Sequence, residues 1–149
     1  MKALKTLASA ALLVSATASA NVTYDAENNA ACVTGDRGTL FCTYVDPRRD
    51  CKPDHAFVEQ TTNYRSVGQT KNVAFKARID RRSPWSGDLH VIVQQEWTTG
   101  LLGNTPGFVT ELRRGNTLRI NIPQANGGQF YEAYSLMGYS RAIGQAKAA

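Results

Sequence analysis

Histidine is scarce in this 149-residue chain, with only His55 and His90 present, and cysteine stops early, with nothing after Cys51. Paired Cys-x-x-Cys or histidine spacings of the kind a zinc site uses are missing. So are a phosphate loop, a calcium loop and a complete Gly-x-Ser-x-Gly elbow. Past residue 20 no apolar run approaches the roughly 20 residues of a membrane-spanning helix. Internal repeats, linkers and low-complexity tracts are also lacking. These absences leave a domain for which no metal, no cofactor and no membrane span are expected.

What is present begins with a leader. Residues 1–20, MKALKTLASAALLVSATASA, combine the basic Lys2 and Lys5, a short apolar run over Leu7 to Val14, and the small-residue cleavage pattern Ala18-Ser19-Ala20. This is the three-part layout of a secretory signal, with a mature start at Asn21. Cys32 lies beyond the polar Glu27-Asn28-Asn29, not at the end of the apolar run, which argues against a lipid anchor. The expectation is a periplasmic or secreted protein whose residues 21–149 form a single domain, large enough for one core. Loss of Lys2 and Lys5 lowers the formal charge from +5 to +3. That leaves a mild bias towards anionic partners, short of the clustered basic footprint of a nucleic-acid binder.

Cys32, Cys42 and Cys51 fall within twenty residues of each other. In an oxidising compartment they imply one disulfide and one leftover thiol. Cys32 and Cys42 flank the turn Gly35-Asp36-Arg37-Gly38, and Cys42 and Cys51 flank Asp46-Pro47-Arg48-Arg49; the first pairing is favoured, and spacing leaves the connectivity open.

Along residues 21–149, 21–31 read as a loose arm or edge strand, and Thr39 to Val45 as a strand. Residues 46–55 read as a two-proline loop, Ala56 to Thr62 as a second strand, and Asn63 to Lys71 as a connection. Asn72 to Asp80 alternates, with Val73, Phe75, Ala77 and Ile79 on one face and Ala74, Lys76 and Arg78 on the other. Residues 81–87 form a turn, Asp88 to Trp97 a strand and Thr98 to Asn104 a loop. Thr105 is an expected N-cap, Pro106 a first helical residue and Gly115 a left-handed stop, bracketing a helix with Phe108 and Leu112 on one side. Thr117 to Ile122 alternates as a strand, Asn126-Gly127-Gly128 turns the chain, and Gln129 to Leu136 returns antiparallel. Ser140 is placed as the cap of a final helix over Arg141 to Ala148. The fold class is mostly β, a single antiparallel sandwich-like domain with two short helices near the C-terminus.

The tail Tyr134-Ser135-Leu136-Met137-Gly138-Tyr139-Ser140-Arg141-Ala142-Ile143, with the preceding Leu112-Arg113-Arg114-Gly115-Asn116-Thr117-Leu118-Arg119-Ile120, resembles the end of invasion-associated locus B proteins and related small proteobacterial envelope proteins. Those close with a strand, an aromatic-Ser-Leu-x-Gly-aromatic motif and an Ala-containing helix. This chain lacks their late cysteine pair. The resemblance implies an exported β-sandwich-like domain and carries no catalytic residue with it.

Candidate chemistry is sparse. Gly138-Tyr139-Ser140-Arg141-Ala142 lacks the final glycine of a nucleophile elbow, so Ser140 reads as a cap. Cys51 with His55 could act as nucleophile and base, against the plainer reading of a solvated loop histidine beside a disulfide cysteine. His90 is a surface or packed side chain. Glu132 shares strand parity with Phe130, Tyr134 and Leu136 and so points inward, with Arg78 or Arg119 as a natural ion-pair partner; a catalytic carboxyl is the sharper alternative. The basic groups Arg48-Arg49-Lys52, Arg81-Arg82 and Arg113-Arg114 become an anion site if the fold brings two together. Trp85 and Trp97 could be exposed anchors, and Trp97 could equally lie in the core. The expected function is non-catalytic binding of a partner protein or an anionic envelope component, with Arg48, Arg49, Lys52, Arg81, Arg82 and Trp85 as candidate binding residues. The alternatives are a small hydrolase using Cys51 and His55 or Glu132, and an assembly factor pairing through a sheet edge.

Overall fold

The computed structural model describes residues 21–103, 105–124 and 127–149. The leader over 1–20 and Asn126 of the expected turn lie outside the described residues. Among the described residues, nine strands form one antiparallel sheet: β1 Thr23–Asp25, β2 Ala30–Thr34, β3 Leu40–Asp46, β4 Lys52–Gln60, β5 Thr70–Ile79, β6 Trp85–Val93, β7 Trp97–Leu102, β8 Thr117–Pro123 and β9 Gln129–Ser135. Their spatial order is β1-β2-β3-β4-β7-β6-β5-β8-β9. Helix α1, Phe108–Arg114, joins β7 to β8, and helix α2, Tyr139–Ala148, follows β9. The architecture is the mostly-β one expected, with two short helices in the last third.

Alternation decides which side chains enter the core. Opposed residues on adjacent strands share a face, so Phe41 stands by Phe57, Thr43 by His55, Val73 by Leu89, Ile79 by Leu118 and Leu118 by Tyr134. Phe41, Phe57, Phe75, Leu89, Ile79, Leu118 and Tyr134 are buried in one cluster with Phe108 and Leu112 of α1 and Tyr139 and Ile143 of α2. Burying a Phe or Leu side chain contributes about 1.5–3 kcal/mol, which makes this inner face the main source of stability. The two helices lie over the same end of the sheet. Phe108 meets His55 edge-on at 4.9 Å and Trp85 at 5.3 Å, while the Tyr139 hydroxyl is 2.8 Å from Thr43 Oγ1.

The sheet curls until its ends meet. Asp36, in the β2–β3 turn, donates its N–H to Ala133 O (3.1 Å) and accepts at Oδ1 from Ala133 N–H (3.1 Å), which joins the turn to β9. Val22 N–H donates to Met137 O (2.8 Å) beyond the end of β9. On the outer side, Cys32 and Cys42 stand opposite each other on β2 and β3 and form the disulfide, with Cα atoms 4.1 Å apart. The favoured pairing is the one found, and Cys51 is free.

Several local expectations are corrected. The 46–55 loop is shorter than expected, because β4 starts at Lys52. Pro53 is tolerated there since β7 pairs with β4 only from His55 onward, so no ladder bond is lost on that side. Trp85 to Gly87 belong to β6, not to a turn. Asp88 to Trp97 is not one strand: β6 ends at Val93, and Trp97 opens β7, which replaces the expected 98–104 loop. Gly100 is a strand residue and not a loop signal; it is small because a Cβ there would lie 3.2 Å from Leu89 Cδ1. Thr105 does not cap α1. Its hydroxyl donates to Gly103 O (3.1 Å), and Gly107, at φ +86°, is the N-cap, so Pro106 lies before the helix. Gly115 is extended, at φ −93° and ψ 171°, not left-handed; a Cβ on it would overlap Ile79 Cγ2. Gly138, at φ +89°, is the N-cap of α2, and Ser140 lies inside the helix with its hydroxyl donating to Arg113 O (3.2 Å).

Candidate functional site

Strand β5 ends at Ile79, and the chain turns through Asp80, Arg81 and Arg82 towards β6. Asp80 ties this turn to the junction of α1 and β8. Its N–H donates to Thr117 O (3.0 Å), and its carboxylate accepts from Asn116 N–H (3.0 Å) and Thr117 N–H (3.0 Å). Asp80, Arg81, Arg82, Asn116, Thr117 and Arg119 line a shallow open depression. Arg119 stands directly opposite Arg78 in the β5–β8 pairing, and both are exposed. Like charges directly opposite on paired strands destabilise a sheet. The ion pairs found among the described residues lie elsewhere, so these four guanidinium groups have no carboxylate within bridging distance. Arg113 and Arg114, at the end of α1, precede Asn116 by two or three residues and are exposed. Two of the three basic groups singled out in the sequence, Arg81-Arg82 and Arg113-Arg114, thus flank one junction.

The third group is placed differently. Arg48 pairs with Asp46 (Nε–Oδ1 3.2 Å), whose side chain also caps the short turn at Pro47–Arg49, and Arg49 pairs with Asp54 (3.1 Å). Lys52 is exposed at the start of β4. These pairs are solvated and contribute little to stability, but they neutralise the β3–β4 turn. Trp85 is half-buried; its Nε1–H donates to Glu111 Oε1 (3.2 Å) and its ring packs on Phe108, so it holds α1 to the sheet. Trp97 is half exposed on β7.

The carboxyl of Glu132 is buried, as its parity requires, but its expected ion pair with Arg78 or Arg119 does not form. Those arginines sit on outward positions. Glu132 instead enters the β2–β3 turn and accepts from Arg37 N–H (2.7 Å), Thr39 N–H (3.0 Å) and the Thr39 hydroxyl. Gly35 makes room, because a Cβ there would lie 2.6 Å from Glu132 Cδ. Burial pushes the Glu132 pKa above the usual carboxylate range; the Asp36 carboxyl beside it adds to the rise, and the Thr39 and Arg37 donors oppose it. The carboxylate is held by the turn, with its oxygens already accepting.

His55 is no solvated loop residue. It is fully buried on β4, with Nδ1 2.9 Å from Thr43 Oγ1, and the same hydroxyl meets Tyr139. Burial lowers its pKa to about 4, so the imidazole is neutral near pH 7. Among the described residues no hydrogen bond joins it to Cys51, whose thiol is half-buried against the core. His90 is exposed, with Nδ1 3.2 Å from Asn72 Oδ1. Among the described residues no group of three or more His, Cys, Asp or Glu side chains could hold a metal ion, and no helix is long and apolar enough to cross a membrane.

Sequence reasoning passed over Arg78 and Arg119 as site residues. Their outward parity was visible, but the pairing of β5 with β8, which skips β6, β7 and α1, leaves no local signal.

No protein-family profile and no curated protein matches the sequence. Among solved structures the chain has a weak resemblance to invasion associated protein B from Bartonella henselae, with a TM-score of 0.39 and 11% identity, covering 72% of this chain and 92% of that one.

Proposed function

We propose that this chain is a small exported, non-catalytic binding domain that takes an anionic component of the cell envelope at the arginine depression between the β5–β6 turn and β8. The observation that carries the reading is the direct opposition of Arg78 and Arg119, with Arg81 and Arg82 beside them and, among the described residues, no carboxylate in bridging distance. Such an arrangement is unfavourable in the free protein and is relieved by a bound anion. Asp80 leaves the arginines free because its oxygens are taken by backbone N–H groups. Residues 1–20 supply the export signal, and residues 21–149 are the working domain. Export is supported by that leader pattern and by the Cys32–Cys42 disulfide, a bond that persists in oxidising compartments.

The test is binding of inorganic polyphosphate, as a reporter polyanion, across a salt series. Binding is expected to weaken steadily as ionic strength rises through the physiological range. Arg78→Glu with Arg119→Glu should lower affinity about tenfold or more, whereas Arg48→Glu with Arg49→Glu should change it less than about twofold. Equal loss in both variants, or binding indifferent to salt, would sink the assignment of the site.

A further inference from the structure

We infer that the depression is one end of a linear track, along the outer face of β5 and β8, that takes an extended phosphate-bearing polymer; this rests on the reading that the depression binds anions. The register supplies the geometry. Arg78 stands opposite Arg119 on β8, and one outward row further along β5, Lys76 stands opposite Asn121, which stands opposite Tyr131 on β9. Successive outward rows on a strand are about 6.7 Å apart. Arg81 and Arg82, in the turn, continue the line beyond Arg78 at its other end. Positive charge therefore recurs along one exposed line on the order of 15 Å long.

The line has two defined ends. Beyond Lys76 the next outward residue is Ala74, opposite Asp88 on β6, so the cationic series stops where an acid appears. The other end is the turn at Arg81 and Arg82, past Asp80, whose carboxylate accepts from the Asn116 and Thr117 N–H groups. With the side chains extended outward, a phosphate bridging Arg78 and Arg119 leaves the Lys76 row, about 6.7 Å along the strand, and the Arg81–Arg82 turn at the far end of the line to other anionic groups. Engaging all rows at once takes a ligand with several anionic groups on one chain. The surface is shallow and open, which suits a polymer lying across it. Sites for single-stranded nucleic acid stack successive bases on several aromatic side chains. Tyr131 is the one large exposed aromatic that the described residues place on these strands. The chemistry assigned is therefore a base-free polyanion.

The experiment compares orthophosphate, tripolyphosphate and long-chain polyphosphate on the purified protein at fixed ionic strength, with concentration counted per phosphate. Long-chain polyphosphate is expected to bind about tenfold tighter than tripolyphosphate. Lys76→Ala should weaken the long chain about threefold, lower the slope of log affinity against log salt by about 1, and leave orthophosphate unchanged. Arg78→Ala should weaken both ligands. All these side chains are exposed, so thermal unfolding of the variants should match that of the parent. If tripolyphosphate binds as tightly as the long chain and Lys76→Ala is silent, the track is wrong while the anion site stands. If Arg78→Ala and Arg119→Ala leave both ligands unchanged, the anion site itself is wrong. An oligothymidylate of equal charge that binds more tightly than polyphosphate, with the advantage lost in Tyr131→Ala, would overturn the base-free assignment.

Discussion

His55 shows how far a residue's surroundings can depart from its neighbours in the chain. It follows Lys52, Pro53 and Asp54, a polar run that suggests solvent, yet it is buried between Phe41 and Phe108 and linked through Thr43 to Tyr139. Its folded-state pKa, about 4, lies below the ordinary value of 6.5. The unfolded chain therefore takes the proton first. Stability contributed by the neutral imidazole is complete above about pH 6.5 and is lost as pH falls towards 4, by about 3 kcal/mol in all. Urea titrations at pH 7 and pH 4 should show that loss in the parent and a loss smaller by about that amount in His55→Phe; equal losses in both would count against burial of the ring. Glu132 is the counterpart. Parity placed it inside correctly, but a charged partner was the wrong expectation, because backbone N–H groups of a tight turn can satisfy a carboxylate as fully as an arginine does.

At the scale of elements, glycine is what separates the legible from the illegible. The alternating strands β5 and β8 are legible from their apolar residues to within two positions at either end. Strand β7 was not, since Gly100 looks like a loop residue until Leu89 is known to lie beneath it. Both helix starts were assigned to hydroxyl caps and both use left-handed glycines, Gly107 and Gly138. At Gly138 a Cβ would also come within 2.8 Å of Val22 O, a contact 116 positions away that no local pattern reveals. Gly115 is likewise set by the approach of Ile79. Gly115→Ala should lower stability by about 2 kcal/mol through overpacking. Gly144→Ala, in the interior of α2 with open space around it, should raise stability by about 0.5–1 kcal/mol. Urea midpoints of the two variants should move in opposite directions, and a shift of the same sign would contradict the packing described at Ile79.

At the scale of the whole molecule, the candidate site exists only because of strand order. Arg78 and Arg119 each looked like an ordinary outward residue of an alternating strand; the β5–β8 pairing sets them side by side and adds Lys76 and Tyr131 to the same face. The same strand order brings the sheet's two ends together, and there the closure is not a full strand ladder. Besides the Val22–Met137 hydrogen bond, it consists of the β2–β3 turn, Asp36 to Thr39, bound to Glu132 and Ala133 of β9, with the Arg37 guanidinium 5.2 Å above the Phe130 ring. A closure built mainly on one turn behaves as a latch, and a latch opens as a unit. In amide hydrogen exchange the N–H groups of Asp36, Arg37, Thr39 and Ala133 should share one opening free energy, well below that of the central strands, and Glu132→Gln should accelerate all four together. Four unrelated rates would mean that the curled sheet parts somewhere else.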